Sequence, residues 1–480
     1  MPGFHVLTVG CQMNQHDSER MAEVLRKAGY SEAAGISDAD VILLNTCSVR
    51  EKAEHKVRSE VGRLALLKQE RPELVLGIAG CVAQQEGERL LRGMPALDLV
   101  VGPDNIAELP ALLAAHEPGA AARVRAEFDV EAPAFLMADP SPGKVSPSTF
   151  VTVMKGCNER CSFCIVPTTR GPERYRRSSE IVDEIVRLVA AGAREVTLLG
   201  QTVNSYIDPE RALGSGRDSD ASSSAHRTPD ETEFPALLRA IAAGVPSLAR
   251  LRYTSPHPRH LTPSLVSAHA ELPVLARHVH MPVQSGSDRI LKRMIRRYTA
   301  AEYVERVEGL KARVPGVTLS TDVIVGFPGE TREDFEATLE LVRRVRYNGV
   351  FGFKYSVRPY TPALRLEDDV TESEKAARLA MLFALADAQR QEHLNALVGT
   401  RATVLVEGRG KNTAFTGRTE RNEIVHLEFP GDPTGTLVDV RIVRAFKNSL
   451  EGRVDGAAPA AARVERPEVD RELRRSLPVL

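Results

Sequence analysis

Apolar, β-rich runs alternate with helical patterns from the start of the chain to about residue 390. Strands that are separated by helices pair in parallel, since each helix returns the chain to the edge from which the next strand starts. Residues 1–120 are therefore predicted to form an open parallel sheet covered by helices. The apolar runs of this N-terminal region lie at 4–10, 41–46, 74–80 and 99–102.

Three of the six cysteines directly follow three of these predicted strands. Cys11 comes after the first run, Cys47 after the second and Cys81 after the third. The carboxyl ends of parallel strands share one edge of a sheet, and open α/β folds bind ligands at that edge. We therefore predict that the three cysteines meet at one edge and hold a metal centre.

Two other interpretations of these cysteines stay open. A lone cysteine at a strand end is more often a small buried apolar residue, although the threefold repetition favours a shared function. A structural zinc ion takes four protein ligands, so His16 or His55 would have to complete a zinc site. Both histidines lie in charged helical stretches that are typical of a protein surface, so a three-thiolate iron–sulfur cluster fits better.

Strand and helix patterns alternate again in the central region, residues 143–392. The predicted strands lie near 149–155, 195–200, 250–254, 278–283, 319–325 and 351–355. These units predict a partial (β/α) barrel with functional residues at the carboxyl ends of its strands. The remaining cysteines, Cys157, Cys161 and Cys164, form a Cys-x3-Cys-x2-Cys run after the first strand. Three thiols in one loop can hold three corners of an iron–sulfur cluster and leave the fourth open for chemistry.

Polar residues and glycines follow the other predicted barrel strands. The residues at these strand ends are Gln201, Asn204, Ser255, Gln284 and Gly326. Glycines at strand ends let the backbone approach a ligand closely, so this end of the barrel is predicted to bind a small cofactor. The alternative is that these residues only form tight turns and helix caps.

The last region, residues 393–456, contains five short predicted strands separated by Gly, Asn and Pro turns, at 400–407, 414–418, 424–429, 435–440 and 443–449. Such a pattern predicts a small β-barrel of a kind that binds nucleic acid. Acidic residues are interspersed among the basic ones, so a solvated surface without RNA is the alternative. The basic residues are Arg401, Arg409, Lys411, Arg418, Arg421, Arg441, Arg444 and Lys447.

Composition limits the partners that the protein can have. The formal net charge is −1, so any contact with nucleic acid must depend on local basic patches. No apolar run is long enough to span a bilayer and the N-terminus lacks a secretory signal, which predicts a cytoplasmic protein without a membrane partner. Residues 211–226 predict a mobile insertion, and residues 457–480 predict a disordered tail.

Several motifs together resemble the radical S-adenosylmethionine (SAM) methylthiotransferase family over nearly the whole chain. The cysteine run at 157–164 is similar to the signature loop of radical SAM enzymes. The preceding α/β domain with three strand-end cysteines is similar to the methylthiotransferase branch. Within that branch, the segments similar to MiaB-type members are 10–14, 45–50, 156–167, 284–288 and 297–299.

The resemblance implies an enzyme with two 4Fe-4S clusters. The cluster on the barrel cysteines would cleave SAM to a 5′-deoxyadenosyl radical, and the cluster on the N-terminal cysteines would donate sulfur. The implied reaction places sulfur at C2 of N6-isopentenyladenosine, position 37 of tRNA, and a second SAM methylates it. Phe163 is expected to pack on the SAM adenine, with a core position as the alternative.

The C-terminal region resembles a TRAM domain, which implies that it binds the tRNA anticodon stem-loop. The resemblance also implies a monomer that receives electrons and sulfur from donors of unknown identity. Two residues depart from the family pattern, Thr202 where asparagine is usual and Tyr360 where glycine is usual.

Three alternatives to this function stay open. Relatives in the same superfamily act on N6-threonylcarbamoyladenosine in tRNA or on an aspartate of a ribosomal protein, but residues 12–14 favour the MiaB type. An alternative of a different class is a non-catalytic, metal-bearing protein that binds RNA.

Overall fold

The structure, a computed structural model, describes residues 1–48, 51–130, 135–140, 145–210, 232–410 and 414–454, with only the backbone for 51–55. The predicted insertion at 211–226 and the predicted tail at 457–480 lie outside the described residues. Within the described ranges, no helix has the length and the apolar character that crossing a membrane requires.

The N-terminal domain is a parallel sheet of six strands in the order β2-β1-β3-β4-β5-β6. Its strands are β1 Gly3–Val9, β2 Ser31–Glu32, β3 Val41–Thr46, β4 Val75–Gly80, β5 Leu99–Val101 and β6 Arg123–Arg125. Its helices are α1 Gln12–Lys27, α2 Glu51–Glu70, α3 Cys81–Glu86, α4 Arg89–Gly93 and α5 Leu109–Ala114. The predicted parallel α/β domain is confirmed, with two short edge strands, β2 and β6, that the sequence pattern did not predict.

Helices cover both faces of this sheet, so its central strands are buried on both sides. Ile42 and Leu44 of β3 pack in the core that contains α2 and α3, whereas Val41 and Leu43 pack with α1 and α5. Burial on both faces explains why these strands are continuous apolar runs rather than alternating ones. One helix was predicted over 84–92, but the chain forms two short helices that are separated at Gly87.

The central domain contains six parallel strands in two groups of three, in the orders β11-β10-β7 and β12-β13-β14. Its strands are β7 Ser148–Thr152, β10 Glu195–Leu199, β11 Arg250–Tyr253, β12 His278–His280, β13 Thr318–Val325 and β14 Gly349–Lys354. A further antiparallel pair of short strands, β8 Met154–Lys155 and β9 Arg174–Tyr175, flanks the cysteine run. Its helices are α6 Val166–Arg170, α7 Ser178–Ala190, α8 Phe234–Gly244, α9 Pro263–Glu271, α10 Asp288–Arg293, α11 Ala300–Arg313 and α12 Arg332–Val345. The predicted six-unit barrel is confirmed, and one apolar core joins its strands to its helices.

The C-terminal domain is a closed five-stranded barrel in the order β15-β16-β17-β19-β18, preceded by the helix α13 Glu372–Ala396. Its strands are β15 Arg401–Arg409, β16 Phe415–Thr419, β17 Ile424–Leu427, β18 Leu437–Ala445 and β19 Leu450–Val454. The barrel is confirmed, but the prediction of separate strands at 435–440 and 443–449 is wrong. A β-bulge between Ile442 and Arg444 lets β18 continue through the predicted break, and the last strand lies farther along the chain.

The end of β16 fixes the C-terminal barrel to the amino ends of the central strands. Nη1 of Arg250 donates a hydrogen bond to the carbonyl of Arg418 (3.0 Å), and Nη2 of Arg252 donates to the carbonyl of Thr419 (2.7 Å). Buried Glu195 accepts hydrogen bonds from the same two arginines, from Arg250 at 3.2 Å and from Arg252 at 2.8 Å. The two domains therefore join at the end of the central barrel that is opposite to the cysteine run.

Candidate active site

The three N-terminal cysteines lie at the carboxyl ends of neighbouring strands. Cys11 lies between β1 and α1, Cys47 follows β3, and Cys81 is the first residue of α3, directly after β4. A hydrogen bond with the Cys47 side chain lowers the pKa of Cys11 to about 6, although burial acts in the opposite direction. The sheet thus brings these three side chains to one edge.

Two buried asparagines hold the loops that carry Cys11 and Cys47. Nδ2 of Asn14 donates to Oδ1 of Asn45 at 3.1 Å, and Nδ2 of Asn45 donates to the carbonyl of Asn14 at 2.7 Å. The Sγ of Cys11 also lies 3.3 Å from Oδ1 of Asn14. These hydrogen bonds fix the position of one strand end relative to the next.

Cys157, Cys161 and Cys164 lie in the loop between β8 and α6. Gly156 permits this loop because its φ is +80°, and a Cβ at this position would lie only 1.8 Å from the carbonyl oxygen of Pro172. Burial raises the pKa of Cys157 well above its usual range and raises that of Cys164 to about 12. Such thiols stay protonated at neutral pH until a metal ion displaces the proton.

Two polar side chains lie within hydrogen-bond distance of sulfurs in this loop. Nη1 of Arg296 donates to the Sγ of Cys161 at 3.3 Å, and Oγ1 of Thr202 lies 3.0 Å from the Sγ of Cys157. Donors of this kind stabilise thiolates and tune the reduction potential of a cluster that the thiolates bind. Thr202, which departs from the family pattern, thus contacts a predicted cluster ligand.

Arg170, the last residue of α6, connects the helix after the barrel cysteines to the N-terminal domain. Its Nε donates to the Sγ of Cys81 at 3.3 Å, and its Nη2 donates to Oδ2 of Asp17 at 2.6 Å. Burial acts to raise the pKa of Asp17, but the Arg170 guanidinium together with the His16 side chain overcomes that effect and lowers the pKa to about 2. The helix α6, which closely follows Cys164, therefore packs against α3, which begins at Cys81.

The prediction that His16 lies at the surface is wrong. His16 is buried at the boundary between the domains, with its Nδ1 3.4 Å from Oγ1 of Thr152 in the central domain. The polar face of α1 packs against the central domain instead of facing solvent. The sequence around His16 does not predict this contact between the domains. The side chain of His55 lies outside the described residues.

Thiolates are the donors that iron–sulfur clusters take, and each group of cysteines supplies three of them. Among the described side chains, no three of His, Cys, Asp or Glu are placed to ligate one metal ion. The thiolates of a cluster each bind a different iron, so they need not converge on one point. Three thiols in each group would leave one iron of a four-iron cluster open to another ligand.

Comparison with known proteins identifies the family. The chain matches the Uncharacterized protein family UPF0004 over residues 3–102, the Radical SAM superfamily over 151–342 and the TRAM domain over 395–454. It is 62% identical to the tRNA-2-methylthio-N(6)-dimethylallyladenosine synthase of Sorangium cellulosum, with 100% of this chain and 99% of that protein covered. This chain belongs to that synthase family.

Other relatives agree with this assignment. The protein of the same name from Geobacter metallireducens is 47% identical, with 94% of this chain and 98% of that protein covered. Among solved structures, the radical S-adenosylmethionine methyltransferase TsrM from Kitasatospora setae shares the fold, with a TM-score of 0.50 at 14% identity over 76% of this chain and 74% of that chain. As a radical SAM family member, the chain uses SAM and a 4Fe-4S cluster.

Gln201 and Asn204 follow β10 but have different surroundings. Both amide atoms of Gln201 are buried and have no hydrogen-bond partner within the described part of the chain. An unpaired buried amide is costly, so a ligand that paired with it would be favoured. In contrast, the amide of Asn204 accepts from the backbone N–H of His257 at 2.7 Å and donates to its carbonyl at 3.0 Å. Asn204 therefore ties the loops after β10 and β11 together.

The remaining predicted cofactor residues also lie at this end of the barrel. Gln284 and Ser255 have φ values of 71° and 59°, a strained conformation that concentrates at ligand sites. Gly326 has a φ of 69°, and a Cβ there would lie 2.3 Å from Cγ of Lys375, so its close neighbour is a protein side chain. Phe163 packs against the apolar cluster around Phe327, as its alternative core position predicts.

Sequence reasoning missed two arginines that contact cysteine sulfurs, Arg170 and Arg296. Each is a single basic residue without a spacing pattern, and its partner is distant in sequence. The one available signal was that Arg296 directly precedes the family motif at 297–299.

Proposed function

We propose that this chain inserts sulfur at C2 of N6-isopentenyladenosine, position 37 of tRNA, and methylates that sulfur to give the 2-methylthio derivative. The names of the relatives support the substrate. The structural observation that carries the proposal is the contact of Arg170 with Cys81, which joins the helix after the barrel cysteines to one of the N-terminal cysteines. A reaction that joins a radical site to a sulfur donor needs both sites next to the same adenine.

The predicted ligands of the first cluster are the barrel cysteines Cys157, Cys161 and Cys164. The predicted ligands of a second 4Fe-4S cluster are the N-terminal cysteines Cys11, Cys47 and Cys81. When bound, the first cluster and SAM supply a 5′-deoxyadenosyl radical, and the second cluster supplies the sulfur. With a cluster bound, Thr202 and Arg296 would stabilise negative charge on the sulfurs of Cys157 and Cys161, and burial of these two cysteines keeps water away from them.

Gln201 is the residue that the structure favours most as a contact for SAM, because both of its amide atoms are buried and unpaired among the described residues. Gln284 and Gly326 remain predicted contacts at neighbouring strand ends. Asn204 and Phe163 remain predictions as well, and their observed contacts support roles in holding the loop and the core.

The predicted partners are the tRNA anticodon stem-loop, an electron donor and a sulfur donor. Residues 393–456 are proposed to bind the RNA, residues 143–392 to hold SAM and residues 1–120 to hold the second cluster. A monomeric state and a cytoplasmic location stay predictions. The TRAM match supports the RNA contact.

Anaerobic reconstitution with iron and sulfide tests the cofactors. We expect about eight irons per chain and cleavage of SAM upon reduction, since each 4Fe-4S cluster holds four irons. Stoichiometric zinc and intact SAM would instead indicate a non-catalytic, metal-bearing RNA-binding protein.

Nucleoside mass spectrometry tests the substrate. The reconstituted protein is incubated with SAM and with tRNA that carries or lacks the isopentenyl group. We expect the methylthio product only on isopentenylated tRNA. Equal product on both tRNAs, or product on threonylcarbamoyladenosine or on a ribosomal protein instead, would refute the proposed specificity.

A further inference from the structure

We infer that three arginines in register on the C-terminal barrel, Arg401, Arg441 and Arg453, bind consecutive phosphates of the RNA backbone. We call these residues the arginine row. The inference rests on the proposed function, in which this domain binds tRNA. Arg453 was not among the basic residues that the sequence pattern singled out, because it belongs to the strand that the prediction missed.

Strand pairing places the three arginines side by side. Arg401 of β15 is the direct partner of Arg441 of β18, and Arg441 is the direct partner of Arg453 of β19. Direct partners on antiparallel strands project from the same face, with Cβ atoms about 5 Å apart. All three residues are exposed, whereas Val440 and Ile442 on either side of Arg441 point into the barrel core. The row therefore crosses three strands, a width of ~10 Å.

The row concentrates positive charge at a cost to the fold. Like charges at directly opposed positions destabilise a sheet. Two acids lie on the same face: Asp439 accepts a hydrogen bond from the Thr403 hydroxyl at 2.6 Å, and Glu451 lies opposite Arg444. Adjacent guanidiniums of this kind match the repeated phosphates of a nucleic-acid strand, because arginine binds phosphate through paired donors.

The surroundings of the row support a nucleic-acid ligand. Nη1 of Arg441 donates to the carbonyl of Gly399 at 3.2 Å, which orients its guanidinium. Arg401 and Arg441 also make other contacts within the chain, so a phosphate would share or replace them. Farther along β18, the Arg444 guanidinium lies 4.9 Å from the ring centre of Phe446. Such a pair offers a flat surface on which an unstacked base can lie beside the bound backbone.

Fluorescence anisotropy with a labelled anticodon stem-loop RNA tests the row. The reconstituted wild type is compared with the variant Arg401→Gln, Arg441→Gln, Arg453→Gln over a range of KCl concentrations. We expect the Kd to rise about ten-fold or more, and the slope of log Kd against log salt to fall by about two to three, because each phosphate contact contributes about 0.7 to 0.9. Arg343→Gln is the matched control, since Arg343 is an exposed arginine of α12 paired with Glu340.

Thermal unfolding and steady-state kinetics distinguish the loss of phosphate contacts from a loss of folded protein. Removing opposed like charges should leave the Tm unchanged or higher, and kcat should hold while KM for tRNA rises. An unchanged Kd and salt slope would overturn the inference, as would weaker binding that accompanies a lower Tm. If the wild type binds RNA through the row but does not modify it, the proposed reaction fails while the row stands.

Discussion

The Nε of Arg170 donates a hydrogen bond to the Sγ of Cys81, although the two residues are 89 positions apart and belong to different domains. The same guanidinium binds buried Asp17. One side chain from the helix after the barrel cysteines therefore sets the position of a predicted ligand in the other domain.

Replacing Arg170 by glutamine should impair the second cluster selectively. The change removes the arginine from buried Asp17, and breaking a buried ion pair costs about 3 to 5 kcal/mol. We expect iron content after reconstitution to fall from about eight toward about four per chain. SAM cleavage should persist while the methylthio product is lost, as measured by nucleoside mass spectrometry. Exposed Arg177→Gln is the control, and full iron content with normal product in the Arg170 variant would contradict this prediction.

Replacing Thr202 by valine should make the barrel cluster harder to reduce. Valine keeps the shape of threonine but removes the hydroxyl that lies 3.0 Å from the Sγ of Cys157. A hydroxyl that donates to a cluster sulfur stabilises the reduced, more negative state, so its loss should make the reduction potential more negative. Redox titration followed by electron paramagnetic resonance measures this shift. Thr202→Ser should restore the wild-type potential, and equal potentials in all three proteins would exclude a role for the hydroxyl.

Replacing Arg252 by methionine should loosen the C-terminal barrel from the central one. Arg252 donates to the carbonyl of Thr419 and to buried Glu195, at 2.7 and 2.8 Å. Its loss removes one charged hydrogen bond from Glu195, which keeps Arg250, and a hydrogen bond to a charged group contributes about 1.5 to 3 kcal/mol. We expect a lower Tm and faster proteolytic cleavage in the link between α13 and β15. Arg239→Met, which removes an exposed ion pair with Glu271, should change neither measurement.

Acid should destabilise the central domain partly through His269. Burial lowers the pKa of this histidine to about 4, and its Nε2 lies 2.6 Å from the Tyr253 hydroxyl. The unfolded chain takes up a proton near pH 6.5 while the folded chain does not, so stability falls as the pH drops from about 6.5 to 4, by up to about 3 kcal/mol. Denaturant unfolding at pH 7 and pH 4.5 measures this loss. His269→Gln should reduce the difference between the two pH values, and an unchanged difference would exclude His269 as the cause.

The sequence predicted the elements whose causes are local. The apolar runs and the cysteines directly after them identified three domains, parallel strands and the strand ends at which Cys11, Cys47 and Cys81 lie. The path of β18 was not predictable, because a β-bulge let the strand continue past Ile442. An irregularity of this kind depends on pairing with strands that are distant along the chain.

The parts of the site that the sequence did not predict depend on contacts between domains. His16 looked like a surface residue because only the folded chain places Thr152 against it. The attachment of the C-terminal barrel could not be predicted either. Arg250 and Arg252 bind backbone carbonyls of β16, and every residue has such a carbonyl, so the sequence of β16 gives no signal. Thr202 seemed a departure from a motif, and its contact with Cys157 is visible only in three dimensions.

Because the C-terminal barrel is attached at one end of the central strands, the length of these strands sets the distance between that barrel and the cysteine run. The cysteine run lies at one end of these strands and β16 is attached at the other, and β13 with its 8 residues spans ~26 Å. If RNA binds the arginine row as proposed, these strands rather than a flexible tether would set its distance from the cysteine run. Selection of one nucleotide in an anticodon loop would then depend on how far the loop reaches, so lengthening the barrel would shift the reaction to another nucleotide.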